Sequence, residues 1–210
     1  MIEGLILDAV GATNREGSHA GVVMNSSEDL ITRAGNGDQE AFRQIFERYA
    51  RPVLSFIYNL VGRRDVAEEL TQETFVRAYR NLPELRDKTK FSTWLFGIGR
   101  NVAREHLRSK EREHLNNLSD ADVIERRDPM STSPVDQLWG KELKLAMEAA
   151  LLTLDEDKRT VFALKVFQER SYQEIVLITG FSLAKVKVEL HRARLEMKKR
   201  MRRFCGDESK

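Results

Sequence analysis

The stretch Arg170–Met201, RSYQEIVLITGFSLAKVKVELHRARLEMKKRM, reads as two short helices joined by a tight turn. Ser171 and Glu174 have the S-x-x-E spacing of a capping box, in which two side chains satisfy backbone donors that a helix start leaves open. Tyr172, Ile175, Val176 and Thr179 recur at helical spacing and predict one buried face. Gly180 stands where a turn between helices needs a residue tolerant of positive φ. Ser182 is positioned to cap a second helix, with Val186, Leu190, Ala193 and Met197 as its inner stripe. From Lys185 to Arg203 nine lysines and arginines face only Glu189 and Glu196. A helix-turn-helix with a cationic outer face suits a DNA major groove. A helical hairpin with a merely solvated charged face remains the bland alternative for this segment alone.

The whole chain sets the bounds around that stretch. Its 210 residues suffice for one medium domain or two small ones. The formal net charge is only +2, so a nucleic-acid surface has to arise from segregated charge rather than general basicity. Cys205 is the single cysteine, which excludes an internal disulfide framework and suits a reducing compartment; a spare thiol is its plain reading. Glu3 and Asp8 interrupt Ile2–Val10, so the start lacks the apolar core of a signal peptide, and no apolar run reaches spanning length. A cytoplasmic protein is expected. His19, His106, His114 and His191 are scattered, with no carboxylate–histidine spacing of a ligand set. No metal, cofactor or catalytic residue is expected.

Along the chain the pattern is all-helical, in two small domains joined by a flexible acidic linker. Residues 1–25 are aperiodic and are expected to form a disordered extension. A capping pattern, Ser26-Ser27-Glu28-Asp29, opens the first block, residues 26–112. Asp38 precedes Phe42, Ile45, Phe46 and Tyr49 at helical spacing. Pro52 suggests a break or a new first turn, after which Val53, Leu54, Ile57, Leu60 and Val61 continue the core to Gly62. A third helix is expected from about Asp65 to Asn81, and a fourth from about Ser92 to Arg112. Residues 113–135 hold Asp120, Asp122, Glu125, Asp128, Pro129 and Pro134 and read as the linker. Trp139, Leu143, Met147, Ala150, Leu151 and Leu154 restore helical periodicity in a second block, 136–203, followed by a tail, 204–210.

Two constellations stand out in the first block. Asp65, Glu68, Glu69 and Gln72 fall at i, i+3, i+4 and i+7 with Glu73 beside them, a carboxylate ridge opposite Ala67, Leu70, Thr74 and Ala78. Acid–base chemistry, a divalent metal, a basic partner and a plain solvated face are all open to such a ridge. Arg100, Arg104, Arg108 and Arg112 then stand four residues apart. Like charges at that spacing destabilise a helix unless an anion pairs with them. Lys88, Lys90, Phe91, Trp94 and Phe96 lie just before. Cations beside aromatics suit capture of single strands and extruded bases, although aromatics at helical spacing are as readily core.

Asp65–Tyr79, DVAEELTQETFVRAY, with Lys90–Arg104, KFSTWLFGIGRNVAR, resembles the core-binding and promoter-melting region of bacterial sigma factors. The C-terminal SYQEI, turn and LHRAR resemble the second domain of the extracytoplasmic-function group of the sigma-70 family. The similarity covers about residues 27–203. It implies a dissociable, non-catalytic subunit that directs core RNA polymerase to promoters, in a stress or envelope response under an anti-sigma factor. Asp65, Glu68, Glu69, Gln72 and Glu73 would then dock on the polymerase. Asn81, Leu85, Arg86, Lys88, Lys90, Phe91, Trp94, Arg100, Asn101, Arg104 and Arg108 would serve recognition and melting of the −10 element. Among these, Leu85, Arg86, Lys88, Phe91 and Asn101 would surround flipped bases. Ser171, Lys185, Lys187, Val188, Glu189, His191, Arg192 and Arg194 would serve the duplex −35 element. The acidic linker would run along the nucleic-acid path through the polymerase.

The match is not complete. Relatives usually carry a Gly-Thr-Val-Lys-Ser-Arg-like run where this chain has Ala184-Lys185-Val186-Lys187-Val188-Glu189. Glu189 therefore invites two readings, an intrahelical ion pair or a carboxylate facing the groove. A stand-alone helix-turn-helix regulator is the competing function, but it leaves the acidic ridge and first domain unexplained.

Overall fold

The computed structural model describes residues 27–116 and 137–202. The extension expected at 1–25, most of the linker and all of the tail, 204–210 with Cys205, lie outside the described residues. Within them the chain is helical, with no strand.

Helix α1, Ser27–Gly35, leads through a short turn to α2, Gln39–Val61. Asp38 is the N-cap of α2. Its carboxylate accepts from the Ala41 N–H at 3.0 Å and pairs with Arg33 at 2.6 Å, which holds its pKa below the usual range. Pro52 does not break α2, contrary to expectation. An interior proline costs about 3 kcal/mol because it removes one helical hydrogen bond. Burial of Val53, Phe56, Ile57 and Leu60 just beyond it, at about 1.5–3 kcal/mol each, outweighs that loss. Gly62, at φ 76°, ends the helix with its N–H on the Tyr58 carbonyl.

Helix α3, Arg64–Asn81, turns its Ala67, Leu70, Thr74 and Ala78 face inward, as the periodicity predicts. Two 3-10 turns, Leu82–Glu84 and Lys88–Lys90, lead into α4, Phe91–Asn116. Helix α4 extends beyond the expected end at Arg112, because Lys110-Glu111-Arg112-Glu113 are good helix formers with no breaker among them.

The second block comprises α5, Gln137–Leu152, and α6, Glu156–Phe162, with a π-helical turn at Ala163–Phe167. Helices α7, Tyr172–Thr179, and α8, Leu183–Arg200, complete it. The capping box at Ser171 and Glu174, the left-handed Gly180 and the Ser182 cap are all formed. Val186, Leu190, Ala193 and Met197 are buried. Two apolar expectations shift. Leu143 is 42% exposed, and α7 buries Ile178 with Ile175 and Thr179 while Tyr172 and Val176 are half-buried.

The two blocks do not stand apart. Buried residues of both form one continuous apolar cluster. Helix α4 lies against α7, where a Cβ added at Gly97 would make ordinary van der Waals contact with the Ile178 carbonyl oxygen at 3.9 Å. Arg159 of α6 donates to the Leu60 carbonyl of α2 at 2.5 Å, and to the Leu152 and Leu154 carbonyls of its own block at 2.9 Å. Tyr58 donates its hydroxyl proton to Glu148 at 3.1 Å.

Candidate polymerase and nucleic-acid surfaces

The ridge on α3 is carboxylate-rich but not a bare anion. Arg63 holds Asp65 at 2.5 Å and Arg64 holds Glu68 at 2.9 Å. Arg77 joins Glu73 at 2.7 Å to Glu105 of α4 at 2.8 Å. The Arg63 hydrogen bond, helped by the Val66 N–H, lowers the Asp65 pKa. Asp65 and Glu69 are exposed; Glu68, Gln72 and Glu73 are half-buried. Among the described residues Glu69 shows no arginine partner, which leaves it the most available negative charge of the ridge. The 64/68 and 73/77 pairs stand at i, i+4, a spacing that could have revealed them in the sequence.

His106 of α4 lies within the influence of Glu69, Lys110, Glu113 and Arg63. Burial and then Lys110 lower its pKa from 6.5, against the opposing pull of Glu69 and Glu113. A histidine held neutral in the fold binds fewer protons than in the unfolded chain. Stability therefore falls as the pH drops below 6.5, until the lowered folded value is passed. The melting temperature should decline over that window, and His106→Gln should flatten the decline. A mutant with the wild-type slope would remove His106 from this role.

The segment expected to melt DNA divides sharply. Arg86, Lys90, Asn101 and Arg108 are exposed, as is Asn81, whose amide donates to the Arg77 carbonyl at 2.9 Å. Lys90 pairs with Asp87 at 2.9 Å. Leu85 and Lys88 are half-buried, with the Lys88 ammonium 3.5 Å from the Leu82 carbonyl. Phe91 is corrected from base platform to core. It is 1% exposed, with Tyr49 and Trp94 rings at 5.3 and 5.8 Å. Trp94 is half-buried and packs on the same cluster.

The arginine stripe is likewise split. Arg100 is buried and its guanidinium lies 5.3 Å from the Phe181 ring of the second block. Desolvation, then Arg104, lowers its pKa. Arg104 Nε lies 2.9 Å from a Glu156 oxygen, but its N–H is not aligned for a hydrogen bond. Arg108 and Arg112 are exposed. The anion that the spacing demanded therefore comes partly from another domain.

On α8, Lys187, Val188, His191, Arg192 and Arg194 are exposed. Lys185 is tied to its own block, 2.7 Å from Asp157 and 3.9 Å from the Phe181 ring. The Glu189 side chain is only 14% exposed and lies 3.5 Å from Arg192, a placement that favours the intrahelical pair. Ser171 is occupied by its cap, accepting from the Glu174 N–H at 3.2 Å. Among the described residues no three His, Cys, Asp or Glu side chains converge as a metal site requires, and no helix is long and apolar enough to cross a membrane.

Comparison with known proteins decides what these surfaces belong to. Residues 45–113 match the model of sigma-70 region 2, and residues 144–197 match that of sigma-70 region 4. The ECF RNA polymerase sigma factor SigW of Bacillus subtilis is 31% identical over 180 residues, spanning 82% of this chain and 95% of the relative. The chain belongs to the sigma-70 family, in its extracytoplasmic-function group. The ECF sigma-E factor of Escherichia coli K12 is also 31% identical, over 79% of this chain and 88% of that one.

Among solved structures, the sigma factor RpoE of Bartonella quintana with its anti-sigma factor NepR has a TM-score of 0.67 at 22% identity. The match covers 78% of this chain and 98% of that one. CnrH in complex with the cytosolic domain of CnrY gives 0.64 at 24% identity, over 85% and 99%. These likenesses establish the fold. This sigma factor is thus a non-enzymatic initiation subunit, with the ridge and arginine stripe in region 2 and the helix-turn-helix in region 4.

Proposed function

We propose that this sigma factor docks on core RNA polymerase through α3 and holds promoter DNA through two separate cationic surfaces. The exposed Arg86, Lys90, Asn101 and Arg108, with Asn81, Leu85 and Lys88 beside them, face the opened −10 strand. Arg100 and Arg104 act on backbone phosphates. Lys187, Val188, His191, Arg192 and Arg194 face the −35 duplex. The observation that carries this reading is the segregation of charge, with an acidic ridge on one helix and exposed cations on α4 and α8. Two solved relatives are complexes, one with an anti-sigma factor and one with a cytosolic domain of another protein. They support a cytoplasmic sigma factor restrained by an anti-sigma partner.

Glu69→Lys with Glu73→Lys tests the docking surface. The double variant should bind core polymerase several-fold more weakly at moderate salt while keeping its helical circular dichroism. The Glu73–Arg77 pair lies at the surface with both side chains half-buried, and contributes on the order of 1 kcal/mol to the fold. Glu69→Lys alone, which breaks no arginine pair, should retain part of the loss. Wild-type binding by both variants would remove the ridge from the polymerase interface.

A further inference from the structure

We infer, resting on the proposed role of α8 in −35 recognition, that Asp157 of α6 sets the preferred −35 sequence from outside the recognition helix, by holding Lys185 out of the groove. Lys185 is the third residue of α8, close to the end that a recognition helix inserts among base edges. A free lysine at such a position reaches the N7 and O6 acceptors of guanine. The Lys185 ammonium instead lies 2.7 Å from an Asp157 oxygen and 3.9 Å from the centre of the Phe181 ring. Both partners belong to region 4 itself, one on α6 and one in the turn before α8.

A second set of ion pairs fixes the two helices that carry this contact. Lys158, next to Asp157, joins Asp155 at 2.8 Å and Glu196 of α8 at 2.6 Å. Helices α6 and α8 are therefore tied near both ends of α8, and they also pack directly on one another. Helix electrostatics account for Asp157 alone, since a carboxylate in the first turn of α6 favours that helix. They do not account for Lys185, because a cation in the first turn of α8 opposes its own helix dipole. An exposed ion pair and a cation–π contact together favour the held position by about tenfold. The residues left to DNA at this end of α8 are Ala184, Lys187 and Val188, all exposed, and Val188 suits the methyl group of a thymine.

Holoenzyme formed from the full chain and core RNA polymerase tests this by selection from a pool of random-sequence duplexes, with core alone as the reference. Asp157→Asn keeps the shape and removes the charge that holds Lys185, and Asp157→Ala removes the acceptor as well. The Asp157 side chain is 34% exposed, so both variants should fold with a melting temperature near that of wild type. Their selected duplexes should gain a guanine preference that wild type lacks, worth about fivefold in affinity, the lower end for one base contact. Adding Lys185→Ala should abolish the new preference. Asp157→Glu, which keeps the carboxylate, should select as wild type does.

Unchanged selection by both Asp157→Asn and Asp157→Ala would overturn the role of Asp157. Tighter binding to every duplex alike, with a salt slope steeper by about 0.9, would put the freed Lys185 on a phosphate and overturn the base preference. Asp157 also acts through space on Arg100. A gain of that origin would be the same with and without Lys185→Ala, and it would remove Lys185 from the account. Arg192→Ala separates these outcomes from the role of α8 itself. Wild-type selection by that variant, or no selection by wild type beyond that of core alone, would take α8 off the −35 duplex.

Discussion

Phe91→Ala should destabilise this protein by about 3–5 kcal/mol, the usual cost of emptying a buried phenylalanine site. The ring is 1% exposed and packs edge-on against Tyr49 of α2, at the point where α4 begins. Its loss leaves a cavity between the helices that support the DNA-facing loop. Thermal or urea denaturation checks the magnitude. Transcription from a premelted promoter should not recover in the mutant, because the fold fails and not the opening step. A melting temperature near wild type, with rescue by a premelted template, would return Phe91 to the DNA.

Arg159→Met should be the second large effect, on the order of 3 kcal/mol. The arginine holds the carbonyls of Leu60, Leu152 and Leu154, and its burial pushes its pKa down. Methionine keeps much of the volume but leaves three acceptors unpaired where water enters poorly. The loss should be similar at low and high salt, because carbonyls and not a counter-ion hold the guanidinium. A change below about 0.5 kcal/mol would show that water replaces the guanidinium without cost.

Local chemistry was legible in the sequence wherever a residue acts on its own helix. The Ser171–Glu174 box, Gly180, Ser182, Asp38 and the inner stripe of α8 all follow from spacing and turn chemistry. Pro52 misled because its local penalty is smaller than the tertiary burial on its far side, which no window around residue 52 contains. Phe91 was ambiguous for the same reason: platform and core share one spacing, and Tyr49 and Trp94 decide between them. The arginine stripe signalled a missing anion but not its source. Glu156 and Phe181 lie more than fifty residues away, so their approach to Arg104 and Arg100 has no signature in sequence. Arg159 and Arg170 were missed because Arg159 acts on carbonyls and Arg170 on a hydroxyl and a ring brought from elsewhere; only the Arg170–Glu174 pair, 3.0 Å apart at i, i+4, had a spacing to read.

The most direct test of the account is run-off transcription on genomic fragments with core RNA polymerase and the purified full chain. The account predicts discrete transcripts that core alone does not make, lost on mutation of a −10 or −35 element and diminished by Glu69→Lys with Glu73→Lys. No transcript beyond those of core alone, together with sequence-specific retention of duplex DNA by the chain without polymerase, would contradict it.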